Sequence, residues 1–128
     1  MHLLAKIFLG KDKFYALGPG RAALLRATEK LGSLNKAAQS VGMSYRWAWG
    51  RLKDSEEALG IKLLSAGPSP SRGQPKILTP EGQELLDWYT EVEAKIAQVL
   101  QEMPWPEFLP GNNSFIDPEA PKQRLSLD

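Results

Sequence analysis

Hydrophobic and polar positions repeat along this chain with two different periods. Leu3, Ala5, Ile7 and Leu9 alternate with Leu4, Lys6 and Phe8, and Phe14-Tyr15-Ala16-Leu17 resumes after the polar turn Gly10-Lys11-Asp12-Lys13. That alternation predicts a β-hairpin over Met1 to Leu17. Both its faces are fairly apolar, so one is expected to cover helices or a partner subunit. Gly18-Pro19-Gly20 punctuates the chain, and Pro19 suits the first turn of a helix that runs to Leu31 and stops at Gly32. Leu24, Leu25, Thr28 and Leu31 give this helix its buried stripe.

The next segment, SLNKAAQSVGMSYRWAWGRLK, organises the rest. Ser33 can cap a short helix from Leu34 to Ser40, Val41-Gly42-Met43 supplies a bend, and Ser44 can cap a longer helix from Tyr45 to about Leu59. Ala37-Ala38 lets the first helix lie close against the second, whose inner face at helical spacing reads Ala48, Leu52, Ser55 and Leu59. This is a helix-turn-helix pattern. On the opposite side fall Arg46, Gly50, Lys53 and Glu57, flanked by Trp47 and Asp54.

Gly60 ends that helix. Ile61 to Ser65 and Lys76 to Thr79 read as two short strands around a Gly-, Pro- and Ser-rich tip, Ala66 to Gln74. A protruding loop bearing Arg72 and Lys76 directly after a helix-turn-helix makes a wing, suited to the phosphate backbone or the minor groove. Thr79-Pro80-Glu81 opens a last, long helix with a cap, an early proline and an acid at the positive end of the dipole. Along it Leu85, Tyr89, Val92, Ile96, Val99 and Met103 recur at steps of four and three, a heptad seam that could pack against the domain's own hairpin but that, on a helix running far past the compact wing, favours antiparallel or crossed pairing with a second subunit. Leu86, Trp88 and Leu100 widen the apolar surface. Five prolines from Pro104 onward end the helix and leave an irregular tail with apolar residues at Trp105, Phe108, Leu109, Phe115 and Ile116. The expected fold is mostly α with small β hairpins: a winged helix-turn-helix with an N-terminal β-hairpin and a long C-terminal dimerisation helix. It forms one domain over residues 1–103, followed by a proline-rich tail over 104–128.

Composition narrows the chemistry. The chain has no cysteine and one histidine, His2, beside the start methionine, so no thiolate metal site, disulfide or histidine-based triad is expected. GPGR before a helix invites a phosphate-loop reading, but no GK[ST] follows, and Arg21 is read as a helix-start residue or a phosphate contact. Neither an enzyme nor a cofactor or metal site is expected. No apolar run approaches the ~18 residues of a membrane span and no export signal is evident, which places the expected protein in the cytoplasm.

The net charge is +1, but its distribution is uneven. Between Lys30 and Lys76, eight basic residues oppose only Asp54, Glu56 and Glu57, whereas from Thr79 to Met103 six acids oppose Lys95 alone. One face is therefore expected to meet a polyanion. The candidate DNA contacts are Ser44 and Tyr45 where the helix start meets phosphate, Arg46 and Trp47 in the groove, Gly50 and Lys53 farther along, and Lys36, Arg72 and Lys76 on the backbone. Arg suits a bidentate contact with guanine, and Trp47 can pack on a thymine methyl or a sugar. Trp49 and Tyr45 lie nearer the core side of the wheel, and Trp49 is read as packing.

The words GSLNKAAQSVGMSYRWAW and ILTPEGQELL, with their Ala-Ala pair, Ser-Tyr-x-x-Ala-Trp run and Leu-Thr-x-x-Gly helix opening, resemble the N-terminal DNA-binding domain of the ModE family. These molybdate-responsive regulators have a winged helix related to that of LysR-type regulators. The resemblance covers about Leu3 to Met103. It implies a homodimer on double-stranded DNA, paired through the long helix and acting in transcription on a palindromic site. Relatives often have glycine-packed wings where this chain has Pro68, Pro70 and serines. The family's oxyanion-binding domains follow the long helix, where this chain has only its tail. A separate oxyanion-binding protein acting in trans is thus a candidate partner. The competing reading is a protein-docking or architectural module, with Trp47 and Trp105 as anchors.

Overall fold

Alternation alone does not make a strand of the first eight residues. In the structure, a computed structural model that describes residues 1–66 and 76–109, the hairpin is confined to β1 (Leu9–Lys11) and β2 (Phe14–Leu17). Lys11 pairs with Phe14 and Gly10 with Tyr15, around a turn in which Asp12 takes φ 55°, a left-handed conformation that Asp tolerates. The hairpin is shorter than its sequence pattern because β2 has only four residues before Gly18-Pro19 turns the chain into a helix, leaving residues 1–8 no strand to pair with.

The chain divides into two compact units, Lys6–Glu93 and Met1–Ala5 together with the chain from Ala94 onward. In the first, α1 (Pro19–Leu31) begins on its proline and ends at Gly32, whose φ of 87° is open to glycine and whose N–H bonds to Thr28 O at 2.9 Å. Ser33 caps α2 (Leu34–Ser40) by accepting from Lys36 N at 3.2 Å. The bend is fixed by Met43 N donating to Ala38 O at 2.9 Å, with Gly42 at φ 71°. Ser44 then caps α3 (Tyr45–Leu59), accepting from Trp47 N at 3.1 Å. Ala37, Ala38, Ala48 and Leu52 are fully buried, so the small pair does bring the two helices into contact.

The core gathers Leu17, Ala22, Leu24, Leu25, Leu34, Ala38, Ala48, Leu52, Leu64, Leu86 and Tyr89. The wing root is β3 (Leu64–Ser65) and β4 (Ile77–Leu78), antiparallel with Leu64 opposite Leu78, shorter than the strands expected. Thr79 Oγ1 accepts from Gly82 N at 2.9 Å and caps α4 (Pro80–Glu102). No helix among the described residues is long and apolar enough to cross a membrane.

Three expectations are corrected here. Arg21 is not a phosphate contact: it is 9% exposed, donates to Tyr15 O at 3.0 Å and Ser55 Oγ at 2.9 Å, and lies 4.0 Å above the Tyr15 ring. Burial pulls its guanidinium below the usual value, while the adjacent Tyr15 and Asp54 oppose this. Second, the inner face of α3 takes Glu56 and leaves Leu59 only half-buried.

Third, Tyr89 cannot serve a dimer seam, because at 1% exposure it is filled into its own domain's core. Its hydroxyl donates to Ile7 O at 2.8 Å, and burial raises the phenol above its usual pKa, with Glu93 adding to the effect. Arg26 of α1 holds the same stretch of α4 through Thr90 and a close ion pair with Glu93. Leu85 packs partly against this core as well. The exposed apolar positions of the expected seam are Ile96, Val99 and Met103.

Candidate nucleic-acid interface

An N-cap and a bend set the direction of α3, and its helical spacing decides which side chains its first turns expose. Tyr45 is 39% and Trp47 56% exposed, Arg46 is exposed, and the core-side position read for Tyr45 does not hold. Lys53 and Glu57 continue the exposed face. Gly50 is half-buried, yet an added Cβ there would meet no atom, so this position opens on free space. Lys36 is exposed on α2.

Two of the cations on α3 differ in what they touch. Arg51 lies 4.4 Å above the Trp47 ring and pairs with Asp54 at 3.3 Å. Arg46 has no ion pair or hydrogen bond through its side chain among the described residues. Arg46 is therefore a cation at a helix start with all its donors available. Arg51, absent from the expected contacts, props the Trp47 ring from one turn below. Their i, i+4 spacing was the available signal.

Trp49 is half-buried and packs against the core, as read. It also carries two cations, of which helical spacing reveals only the first: Lys53 Nζ is 5.4 Å and Lys76 Nζ 5.2 Å from its ring centre. Lys76 is held at the wing root, where its carbonyl accepts from Leu34 N at 3.0 Å. The structure thus brings Lys53 and Lys76 together, from α3 and from the chain entering β4. Arg72 and the rest of the expected wing tip beyond Ala66 lie outside the described residues, as do Phe115 and Ile116 of the tail. Of the described tail, Trp105 is half-buried and Phe108 is 84% exposed.

Residues 21–83 match the family described as bacterial regulatory helix-turn-helix protein, lysR family. The molybdenum-pterin-binding protein MopB of Rhodobacter capsulatus is 36% identical over 84 residues, covering 66% of this chain and 31% of that protein. The molybdenum transport protein ModE of Azotobacter vinelandii is 29% identical over 100 residues, covering 78% of this chain and 37% of its own. A solved complex of the BenM DNA-binding domain with benA site 1 DNA shares 25% identity over 62% of this chain and 84% of its own, with a TM-score of 0.49. The chain spans about a third of the length of the curated relatives it matches. Residues 21–83, which hold most of α1, then α2, α3, both wing strands and the start of α4, carry a helix-turn-helix domain of the lysR type, consistent with an N-terminal winged helix like that of the ModE relatives.

Proposed function

We propose that this protein is a sequence-specific double-stranded DNA-binding regulator of transcription that acts as a homodimer on a palindromic site and performs no catalytic step. The observation that carries this reading is the outer face of the first turns of α3, where Arg46 is unpaired beside exposed Tyr45 and Trp47. A helix laid in the major groove needs its N-terminal side chains free to reach base edges, and an uncommitted Arg is the usual reader of guanine. Ser44, Gly50, Lys53, Lys36, Lys76 and Arg72 are assigned to the backbone and to close approach of the helix. A separate oxyanion-binding protein acting in trans is included as a candidate partner, because relatives of this chain are named for molybdenum-pterin binding and molybdenum transport.

Selection from a random duplex library at about 0.15 M salt, where non-specific phosphate attraction is damped, is expected to enrich one palindromic motif. Arg46→Ala should then cost ~1–3 kcal/mol on that motif and relax base preference at one position of each half-site. Unchanged specific binding by the variant would remove Arg46 from the interface. A wild-type chain that enriches no sequence would instead favour the docking reading, for which Trp47 is exposed enough.

The dimer is assigned to the distal part of α4 and the residue that follows it, where Ile96 is 37%, Val99 53% and Met103 53% exposed. An exposed apolar row at heptad spacing is stable in water when a second helix covers it. Val99→Glu is expected to convert the dimer to a monomer in sedimentation while the circular dichroism of the fold is retained. A wild-type protein that sediments as a monomer at micromolar concentration would end this part of the proposal.

A further inference from the structure

We infer that Trp49 is a positioning residue for the DNA backbone: its indole ring holds the ammonium groups of Lys53 and Lys76 as a paired site for the phosphodiester chain. The inference rests on the DNA-binding reading above and deepens it. Its ground is a juxtaposition that the sequence separates widely. Lys53 lies on α3 and Lys76 at the entrance to β4, yet their Nζ atoms are 5.4 and 5.2 Å from the centre of one ring. A ring face attracts a cation through its quadrupole, and Trp does so best among the aromatic side chains.

Neither lysine forms an ion pair among the described residues, although α3 carries Asp54, Glu56 and Glu57 close by in sequence. Asp54 is committed to Arg51, and Glu56 is turned into the core, where its partners are Leu63 N, Leu64 N and Lys62. Glu57, exposed one turn beyond Lys53, forms no ion pair with it, so two like charges gather on one ring without a bonded counter-ion, and an anion from outside relieves their repulsion. The anchoring is firm at both ends: Trp49 packs on the core, and the main chain of Lys76 is bonded to the start of α2. A free lysine loses much rotamer freedom when it grips a phosphate, and a lysine already resting on a ring loses less. The ring therefore preorganises the contact between the wing root and the same backbone that α3 approaches.

The test is the salt dependence of binding to the selected duplex. Lys53→Ala and Lys76→Ala should each lower the slope of log affinity against log salt by about one. Trp49→Leu, which removes the ring, is expected to weaken binding about three- to tenfold on every sequence and to lower the slope, leaving base preference intact. In the Trp49→Leu background the two lysine substitutions should lose most of their effect. Trp49→Phe keeps an aromatic packing unit with a weaker quadrupole, so it provides a fold-conserving variant with an intermediate slope. A residue that only packs would change the unfolding midpoint and leave the slope alone; folded Trp49→Leu or Trp49→Phe with the wild-type slope overturns the inference. If the wild-type chain binds no duplex, the DNA reading fails and this assignment with it. Wild-type binding together with an insensitive Trp49 overturns this assignment alone.

Discussion

Replacing Glu56 by alanine is expected to destabilise the Lys6–Glu93 unit by about 3–5 kcal/mol, a large part of the 5–15 kcal/mol of a typical domain. Glu56 is 5% exposed, and one of its oxygens, Oε2, accepts from Leu63 N at 2.7 Å and from Leu64 N at 3.2 Å. These two amides stand where the chain leaves α3 and enters β3, and the substitution leaves both buried and unpaired, each at about 1–3 kcal/mol. Two effects act against the carboxylate. Its burial is costly, and it lies in the last turn of α3, where the helix dipole disfavours a negative charge. Lys62, 3.8 Å away and 73% exposed, returns little of that cost. The two amide bonds must therefore supply most of what keeps this residue in place, and their loss dominates the outcome. Glu56→Gln retains an acceptor for Leu63 N and should recover roughly half of the loss. Urea unfolding followed by circular dichroism measures both variants, and a loss under about 1 kcal/mol for alanine would show that water takes over the amides.

Glu56 also marks the limit of what the sequence discloses. Caps and bends are local: Ser33, Ser44, Gly32, Gly42 and Gly60 each act within four residues, and all three helices they bound start and end where the pattern put them. The buried polar residues are not local. Arg21 finds Ser55 across 34 positions, and no spacing rule distinguishes it from an arginine that opens a helix in solvent. Glu56 occupies a place on the wheel beside Ser55, and its burial depends on the amides of Leu63 and Leu64, which lie beyond the end of the helix. The long helix fails differently. A heptad stripe says that one side is covered but not by what, and α1, Ile7 and the hairpin claim its first half through Leu86 and Tyr89. For the candidate site, helical spacing gave the exposed face of Arg46, Trp47 and Lys53 and placed Lys53 one turn from Trp49. The arrival of Lys76 on the same ring depends on wing closure, which is a tertiary event.

Gly82→Ala is expected to destabilise the domain by about 1–3 kcal/mol and to loosen the wing root, although alanine is the better helix former by about 1 kcal/mol. Gly82 sits in the first turn of α4, and a Cβ there would come 2.5 Å from Leu63 O and 3.3 Å from Leu63 Cα, which are backbone atoms. Main chain cannot swing aside as a side-chain end can, and this carbonyl is held on both flanks. It accepts from Thr79 N at 2.9 Å, while the amide of the same residue donates to Glu56. Relief must come from moving α4 away from β3, which strains the Thr79 cap that bonds Gly82 N and the Lys62 carbonyl. The glycine of the Leu-Thr-x-x-Gly word is thus required by the close approach of α4 to Leu63. Gly50→Ala is the matching control, because its Cβ would meet no atom, and there the helix preference of alanine should raise stability by about 0.5–1 kcal/mol. Thermal unfolding of the two variants should move the midpoint in opposite directions from the wild type. A midpoint that rises for both would mean that α4 retreats from Leu63 at no cost, and the packing explanation of Gly82 would have to be abandoned.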